Sequence, residues 1–194
     1  DDWEDQLVDQ VNSGIDDTVD DLVLVNQDLI SSNAIMFVPC YDATLIDDSI
    51  TDINGWTTAV DNYIKVYTPF EEEEVGVRQR HSGIDSSSVF TINPSANAHP
   101  ITIHDNYVTI EGLNIEGWYN DKMAIYLTDV TRGANIVGNL IHDKDVGAST
   151  GYGIYISPWA FTGGVPNRVY NNIVYDVNGG SSAGIGSSQE DTPT

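Results

Sequence analysis

The stretch that decides the fold is Tyr107–Gly117, which reads YVTIEGLNIEG, because it recurs twice further along the chain. It can be laid without gaps over Gly133–Asp143 (GANIVGNLIHD) and Pro166–Asp176 (PNRVYNNIVYD). Aliphatic residues coincide at two positions of the three copies, namely Ile110, Ile136 and Val169, then Ile115, Ile141 and Val174. An internal repeat of this kind indicates a solenoid, in which each coil buries its apolar residues by stacking on its neighbours.

A second strand repeats in phase with the first. Ala124–Leu127 (AIYL) matches Gly153–Ile156 (GIYI), and Ala183–Gly186 (AGIG) follows as a weaker third copy. Two interleaved repeats predict at least two strands in each coil, and therefore an all-β, right-handed parallel β-helix. A β-sandwich also has many short strands between turns, but it does not account for the same residues at matching positions.

The first repeat also contains a polar position between its two aliphatic ones. This position is occupied in turn by Leu113, Asn139 and Asn172. We expect the two asparagines to point inward, to stack on each other and to form hydrogen bonds with the backbone of successive coils.

The predicted organisation is a single β-helix domain over residues 1–194. It comprises an amphipathic capping helix at 1–15, early coils at 20–105, the clearest repeats at 106–188 and a polar tail at 189–194. The helix would cover one end of the coil stack, whereas the tail has no apolar residue with which to cover the other. Uncovered strand edges pair with other chains, so either the chain is a fragment of a longer β-helix or this end meets another subunit. We expect self-association, which gives a filament if the contact does not close.

The composition excludes some functions. The formal net charge is −23, and within residues 1–74 nineteen acidic side chains face a single base, Lys65. Such a surface repels nucleic acid, and the absence of a run of eighteen apolar residues excludes membrane insertion by a helix. The charge serves solubility in salt or, as the sharper alternative, binding of Ca²⁺. Cys40 is the only cysteine, and the first residue is Asp1, as expected of a processed, secreted protein.

Two sets of candidate site residues follow from residue chemistry. Trp118, Tyr119 and Trp159 lie in or beside predicted loops, where their rings either stack on sugars or pack over the coil. The candidate Ca²⁺ ligands are carboxylates, although none has the spacing of a known calcium loop; they are Asp143 and Asp145, within the run His142–Asp145, and Asp47 and Asp48. The same run, His142–Asp145, combines a base, an acid and a cation, but we favour its interpretation as a solvated turn at the end of a strand.

Residues 101–188 resemble the repeats of the pectin-lyase-like superfamily, through Val108–Leu113 and Arg168–Val174. Arg80–Gly83, followed by Ile101–Ile103, is similar to a module found in secreted β-helix proteins. The resemblance implies a parallel β-helix but leaves the activity open, because the superfamily includes lyases, hydrolases, adhesins and structural modules. The Asn-Thr-Asp, Gly-His-Gly and Arg-Ile-Lys motifs of related polygalacturonases do not occur.

The sequence therefore predicts a non-catalytic extracellular structural or adhesive protein that associates with copies of itself. The alternatives are a carbohydrate-binding module, and a lyase or hydrolase acting on acidic polysaccharide.

Overall fold

The computed structural model describes residues 27–42, 44–128, 131–144, 150–157, 164–179 and 182–187. The capping helix predicted at 1–15 and the polar tail at 189–194 lie outside these residues. The described part forms short strands and one short helix, in the order β1 Met36–Pro39, β2 Ile46–Asp47, β3 Thr51–Ile53, β4 Ile64–Tyr67, α1 Glu72–Val75, β5 Thr91–Ile92, β6 Ile101–Ile103, β7 Val108–Glu111, β8 Asn114–Glu116, β9 Met123–Leu127, β10 Asn135–Val137, β11 Leu140–His142, β12 Tyr152–Ile156, β13 Arg168–Tyr170, β14 Ile173–Val174 and β15 Ala183–Ser187.

Every third strand joins the same sheet. The first sheet has the order β1-β4-β7-β10-β13, the second β2-β5-β8-β11-β14, and the third β3-β6-β9-β12-β15. All of these strand pairs are parallel. The chain thus winds through five coils of three strands each, which confirms the predicted parallel β-helix. Its right-handed sense stays a prediction.

The core consists of columns of aliphatic side chains that run across the coils. Ile136 pairs with Ile110 on one side and with Val169 on the other, and Ile141 pairs in the same way with Ile115 and Val174. In the third sheet Ile154 lies between Ile125 and Ile185. The strands therefore pair in the same register in which the repeats align in the sequence.

A two-residue corner joins the first sheet to the second in coils three to five. Its first residue has a left-handed backbone, with φ of 70° at Gly112, 63° at Gly138 and 57° at Asn171, which favours glycine and asparagine. Its second residue is Leu113, Asn139 or Asn172. The Asn139 Oδ1 atom accepts a hydrogen bond from Leu113 N at 3.0 Å, and the Asn172 Oδ1 atom accepts one from Asn139 N at 3.0 Å. The predicted asparagine ladder is thereby confirmed.

Residues 81–88, here called the covering segment, belong to the connection between β4 and β5 and cross the outer face of the second sheet. A Cβ atom on Gly83 would lie 3.3 Å from Ile173 Cδ1, and the Asp85 carboxylate accepts a hydrogen bond from Asn114 at 3.0 Å. Three outward-facing side chains of this sheet are consequently fully buried, namely Asn114, Leu140 and His142.

The acidic run Glu71–Glu74 precedes the covering segment in the same connection. The run is exposed, and most of it forms the single turn of α1, which ends at Gly76 with φ of 84°. Within the described residues, no helix has the length and apolar character needed to cross a membrane.

Candidate functional site

The outer face of the first sheet carries a groove built on one column of side chains. Lys65 pairs with Thr109, Thr109 with Asn135, and Asn135 with Arg168. These residues alternate with the buried aliphatic ones along each strand and therefore face outward. Three strand spacings of about 4.8 Å separate the first from the last, so the column extends over about 14 Å.

The groove has a volume of about 320 Å³ and combines aromatic, polar and charged groups. Its lining includes Tyr63 and Tyr107, which are half-buried, and the exposed side chain of Val60. Tyr107 has a left-handed backbone with φ of 53°, and its ring lies where a Cβ atom on Gly133 would stand. A phenolic ring at such a position offers a flat apolar face together with a polar edge.

Two cations neutralise the single carboxylate of the groove. Glu111 forms ion pairs with Lys65 Nζ at 2.7 Å and with Arg80 Nη2 at 2.9 Å. Although burial alone would raise the pKa of Glu111, the hydrogen bonds and positive charges of Lys65 and Arg80 hold it below its usual range. Arg168 lies exposed at the other end of the column and makes no ion pair with any described residue.

This arrangement suits binding better than hydrolysis. Glycoside hydrolysis requires two carboxyl groups, one of which has a raised pKa so that it can act as an acid. Glu111 is the only carboxylate among the described residues that line the groove, and its pKa is lowered. The groove instead offers hydroxyl, amide and guanidinium groups beside aromatic rings, which is a typical lining for a bound sugar chain.

The aromatic residues named from the sequence lie elsewhere. Trp118 is fully buried and belongs to the core cluster, directly after Gly117, whose backbone is left-handed with φ of 70°. It has no exposed face for a sugar, so the stacking role predicted for Trp118 is wrong, and the residue packs in the core cluster rather than over the outer face of the coil. Tyr119 is half-buried, and Trp159 lies outside the described residues.

Of the predicted Ca²⁺ ligands, the three that the structure describes, Asp47, Asp48 and Asp143, belong to no common group of ligand atoms. Asp47 Oδ1 accepts hydrogen bonds from the backbone and hydroxyl of Ser49, at 2.9 and 2.6 Å, and Asp48 is exposed. Asp143 contacts His142, whereas Asp145 lies outside the described residues. The interpretation of His142–Asp145 as a solvated turn is wrong for two of its residues, because His142 is fully buried and Lys144 is 2% exposed.

A different group of ligand atoms is found beneath the covering segment. The side chains of Asp85, Glu116 and His142 each place one ligand atom within 4.8 Å of the others. His142 Nε2 is 3.8 Å from Asp85 Oδ1 and 4.0 Å from Glu116 Oε2. No other such trio occurs in the described part of the chain.

Polar neighbours hold each of these three side chains in place. His142 Nε2 is 2.9 Å from Asn114 Oδ1, and His142 Nδ1 is 3.0 Å from Asp143 Oδ2. The imidazole also stacks on Tyr175, with ring centroids 5.0 Å apart and an interplanar angle of 4°. Burial raises the pKa of Tyr175, and the negative charges of Asp143 and Asp85 raise it further.

Sequence reasoning missed most of this group, although part of the signal was available. Glu116, His142 and Tyr175 occupy the same position in the three copies of the first repeat, and β8 and β11 pair Glu116 with His142. The alignment could therefore have placed them side by side. Asp85 could not have been found, because it arrives on a long connection that no repeat describes. The groove column Thr109, Asn135 and Arg168 was likewise visible as one repeat position.

The chain matches no protein-family model, and neither the curated proteins nor the solved structures include a significant match to it. The fold and the two clusters of polar residues therefore carry the functional argument.

Proposed function

We propose that this protein is a non-catalytic, adhesive β-helix that binds acidic polysaccharide in the groove of the first sheet. The observation that carries the proposal is the column from Lys65 to Arg168, flanked by Tyr63 and Tyr107. Its location on an outer sheet face agrees with a pectin-lyase-like relationship, and a polysaccharide ligand implies that the protein acts outside the cell.

The charge distribution supports an acidic ligand in spite of the overall charge of −23. Only seven lysines and arginines are present in the whole chain, and two of them, Lys65 and Arg168, line this groove. A guanidinium group binds a carboxylate through two parallel hydrogen bonds. Arg168 is exposed and has no ion pair with a described residue, so it is the residue that we expect to contact a uronate.

Binding can be measured by affinity electrophoresis and calorimetry with polygalacturonate and alginate, and with neutral dextran as the comparison. The Arg168→Gln variant should weaken binding of the acidic polymers by about tenfold, as expected for the loss of one charge-assisted hydrogen-bonded pair. The matched control is Arg78→Gln, because Arg78 is also exposed but lies over the Phe70 ring, outside the groove.

Equal affinity of the Arg168→Gln and Arg78→Gln variants would remove the support for this groove. The same samples should be assayed for new reducing ends and for the ultraviolet absorbance of unsaturated uronates. Either signal, if lost together with Glu111 or Arg168, would replace a binding function with a hydrolase or lyase.

A second function, self-association, is favoured by the exposed core column at one end of the described coils. Ile125 and Ile154 are fully buried, whereas Ile185, the next residue of the same core column, is 53% exposed. In the described part of the chain, β13, β14 and β15 each pair on one side only. We propose that another copy of the protein covers this end and that Ca²⁺ assists by bridging acidic surfaces.

Sedimentation with and without millimolar Ca²⁺, followed by electron microscopy of any heavy fraction, tests the second function. Ile185→Lys should abolish large species, whereas Ile84→Lys should not, because Ile84 is 72% exposed but lies in the covering segment, away from the end. A monomer under both conditions would count against self-association and leave the groove proposal untouched.

A further inference from the structure

We infer that Asp85, Glu116 and His142 form a binding site for one first-row divalent metal ion, with Zn²⁺ as its best representative. The site is separate from the groove, because it lies on the outer face of the second sheet, and it does not depend on the proposed function. Its ligands come from three places in the fold: Asp85 from the covering segment, Glu116 from β8 and His142 from β11.

The hydrogen-bonding surroundings of both ring nitrogens of His142 favour a bound cation. Its Nδ1 atom faces Asp143 Oδ2 at 3.0 Å, and its Nε2 atom faces Asn114 Oδ1 at 2.9 Å. The orientation of the Asn114 amide is fixed, because Asn114 Nδ2 donates to Asp85 Oδ1 at 3.0 Å and to Thr91 Oγ1 at 2.9 Å. Both ring nitrogens therefore face oxygen atoms that can only accept.

A neutral imidazole has a single N–H group and cannot satisfy both contacts. If Nδ1–H donates to Asp143, the Nε2 lone pair points at the oxygen of Asn114, with the carboxylates of Asp85 and Glu116 just beyond. His142 is fully buried, so water does not relieve this contact. A metal ion bound at Nε2 between the two carboxylates would take up this lone pair.

The contacts of His142 and Glu116 also match those of metal ligands. A ligating histidine usually donates its other N–H to a carboxylate, as His142 Nδ1 does to Asp143, and ligating carboxylates are themselves hydrogen-bonded. Glu116 fulfils the latter condition, because its Oε1 atom accepts a hydrogen bond from Asn93 Nδ2 at 2.9 Å while Oε2 faces His142.

The distances also fit a bound ion. Ligands of tetrahedral Zn²⁺ at about 2.1 Å lie about 3.4 Å from one another. The Nε2 atom is 3.8 and 4.0 Å from the two carboxylate oxygens, so these two pairs need to close by only about half an ångström, and all three ligand atoms lie within 4.8 Å of one another. Because Asp85 is 44% exposed in its side chain, an ion can enter from solvent.

The ligand chemistry selects the class of metal. Imidazole favours Zn²⁺ and other first-row ions, whereas Ca²⁺ takes oxygen ligands. One imidazole nitrogen with two carboxylates therefore favours Zn²⁺ over Ca²⁺. A bound ion would fasten the covering segment to the third and fourth coils, in the manner of a structural metal.

The experiment is calorimetric titration of the full chain, freed of metal with a chelator, with Zn²⁺ in the presence of excess Mg²⁺ to occupy surface carboxylates. We expect one Zn²⁺ per chain, a rise in Tm of several degrees, and slower proteolysis within residues 81–88. Asp85→Asn and Glu116→Gln should weaken the affinity at least tenfold while leaving the circular dichroism spectrum of the metal-free protein unchanged.

The matched control is Asp52→Asn. Asp52 is also an exposed carboxylate beside a histidine, with His104 Nε2 at 3.1 Å, but it belongs to no trio of ligand atoms. Absence of saturable Zn²⁺ binding, or an equal loss of affinity in Asp52→Asn, would overturn the assignment. Tighter binding of Ca²⁺ than of Zn²⁺ at the same residues would overturn the class of metal.

Discussion

Replacing Asn139 by alanine should be among the most destabilising single changes in the coil stack. The Asn139 side chain is fully buried, accepts a hydrogen bond from Leu113 N at 3.0 Å and donates one to Ile110 O at 3.1 Å. It also donates to Asn172 Oδ1 at 2.9 Å. Alanine leaves the Leu113 N–H and the Ile110 carbonyl without these partners, and each buried polar group so orphaned costs about 1–3 kcal/mol.

The expected loss is therefore about 2–6 kcal/mol in the free energy of unfolding, before any contribution from the cavity. For a chain of this size, about 2–4 °C in Tm corresponds to 1 kcal/mol, so Tm should fall by roughly 5–20 °C. Differential scanning calorimetry of the purified variants measures this directly. Asn139→Leu should lie between the wild type and the alanine variant, because it fills the volume as Leu113 does one coil earlier but still orphans the Leu113 N–H.

The control is Asn135→Ala, in the same coil. Asn135 faces outward and makes one long hydrogen bond, of 3.5 Å, to Thr109 Oγ1, so its loss should change the stability by about 0.5 kcal/mol or less. If Asn139→Ala unfolds at the same temperature as Asn135→Ala, the ladder contributes no net stability and the reasoning is refuted.

Two further outcomes are expected. Gly112→Ala should destabilise more than Gly138→Ala in thermal unfolding. Both glycines have left-handed φ, which costs alanine about 1–2 kcal/mol, but only a Cβ atom on Gly112 meets a neighbour, the Arg80 side chain; equal losses would contradict this. Burial lowers the pKa of His99, so the unfolded chain binds more protons than the folded one, and stability should be complete above about pH 6.5 and decline as the pH falls below it. In His99→Gln the decline in Tm with acidification should be smaller, since Gln can still accept the Met123 N–H bond, which is 3.0 Å long in the wild type; an unchanged pH profile would exclude His99 as its source.

The strand register could be predicted because each coil repeats the same physical problem. An inward position must be aliphatic in every coil, so Ile110, Ile136 and Val169 identify one another without any structural information. The corner must accept a left-handed residue, which explains why Gly112, Gly138 and Asn171 coincide. Repetition converts weak local preferences into a pattern that fixes the pairing of strands many residues apart.

The candidate sites could not be predicted in the same way, because they depend on where the repeats are interrupted. A residue that faces outward in a coil is exposed unless something crosses it, and the sequence does not state which coil a connection crosses. His142 is an example: its position in the repeat indicates a solvated side chain at the end of a strand, yet the covering segment buries it completely. The prediction for Trp118 was wrong for the converse reason, because this residue next to a predicted loop belongs to the core.

The two polar clusters differ in how far they depend on the repeated positions. The groove is made of repeat positions, so its residues are constrained mainly by the outward face of the first sheet, and single substitutions there should alter binding while leaving the fold intact. The cluster of Asp85, Glu116 and His142 joins a non-repeating connection to two coils, and its buried imidazole faces only acceptors. Burial of a polar group without a matching partner is costly, so a cation at this cluster would be part of the fold itself. The covering segment should accordingly be the region whose order depends most on the ion.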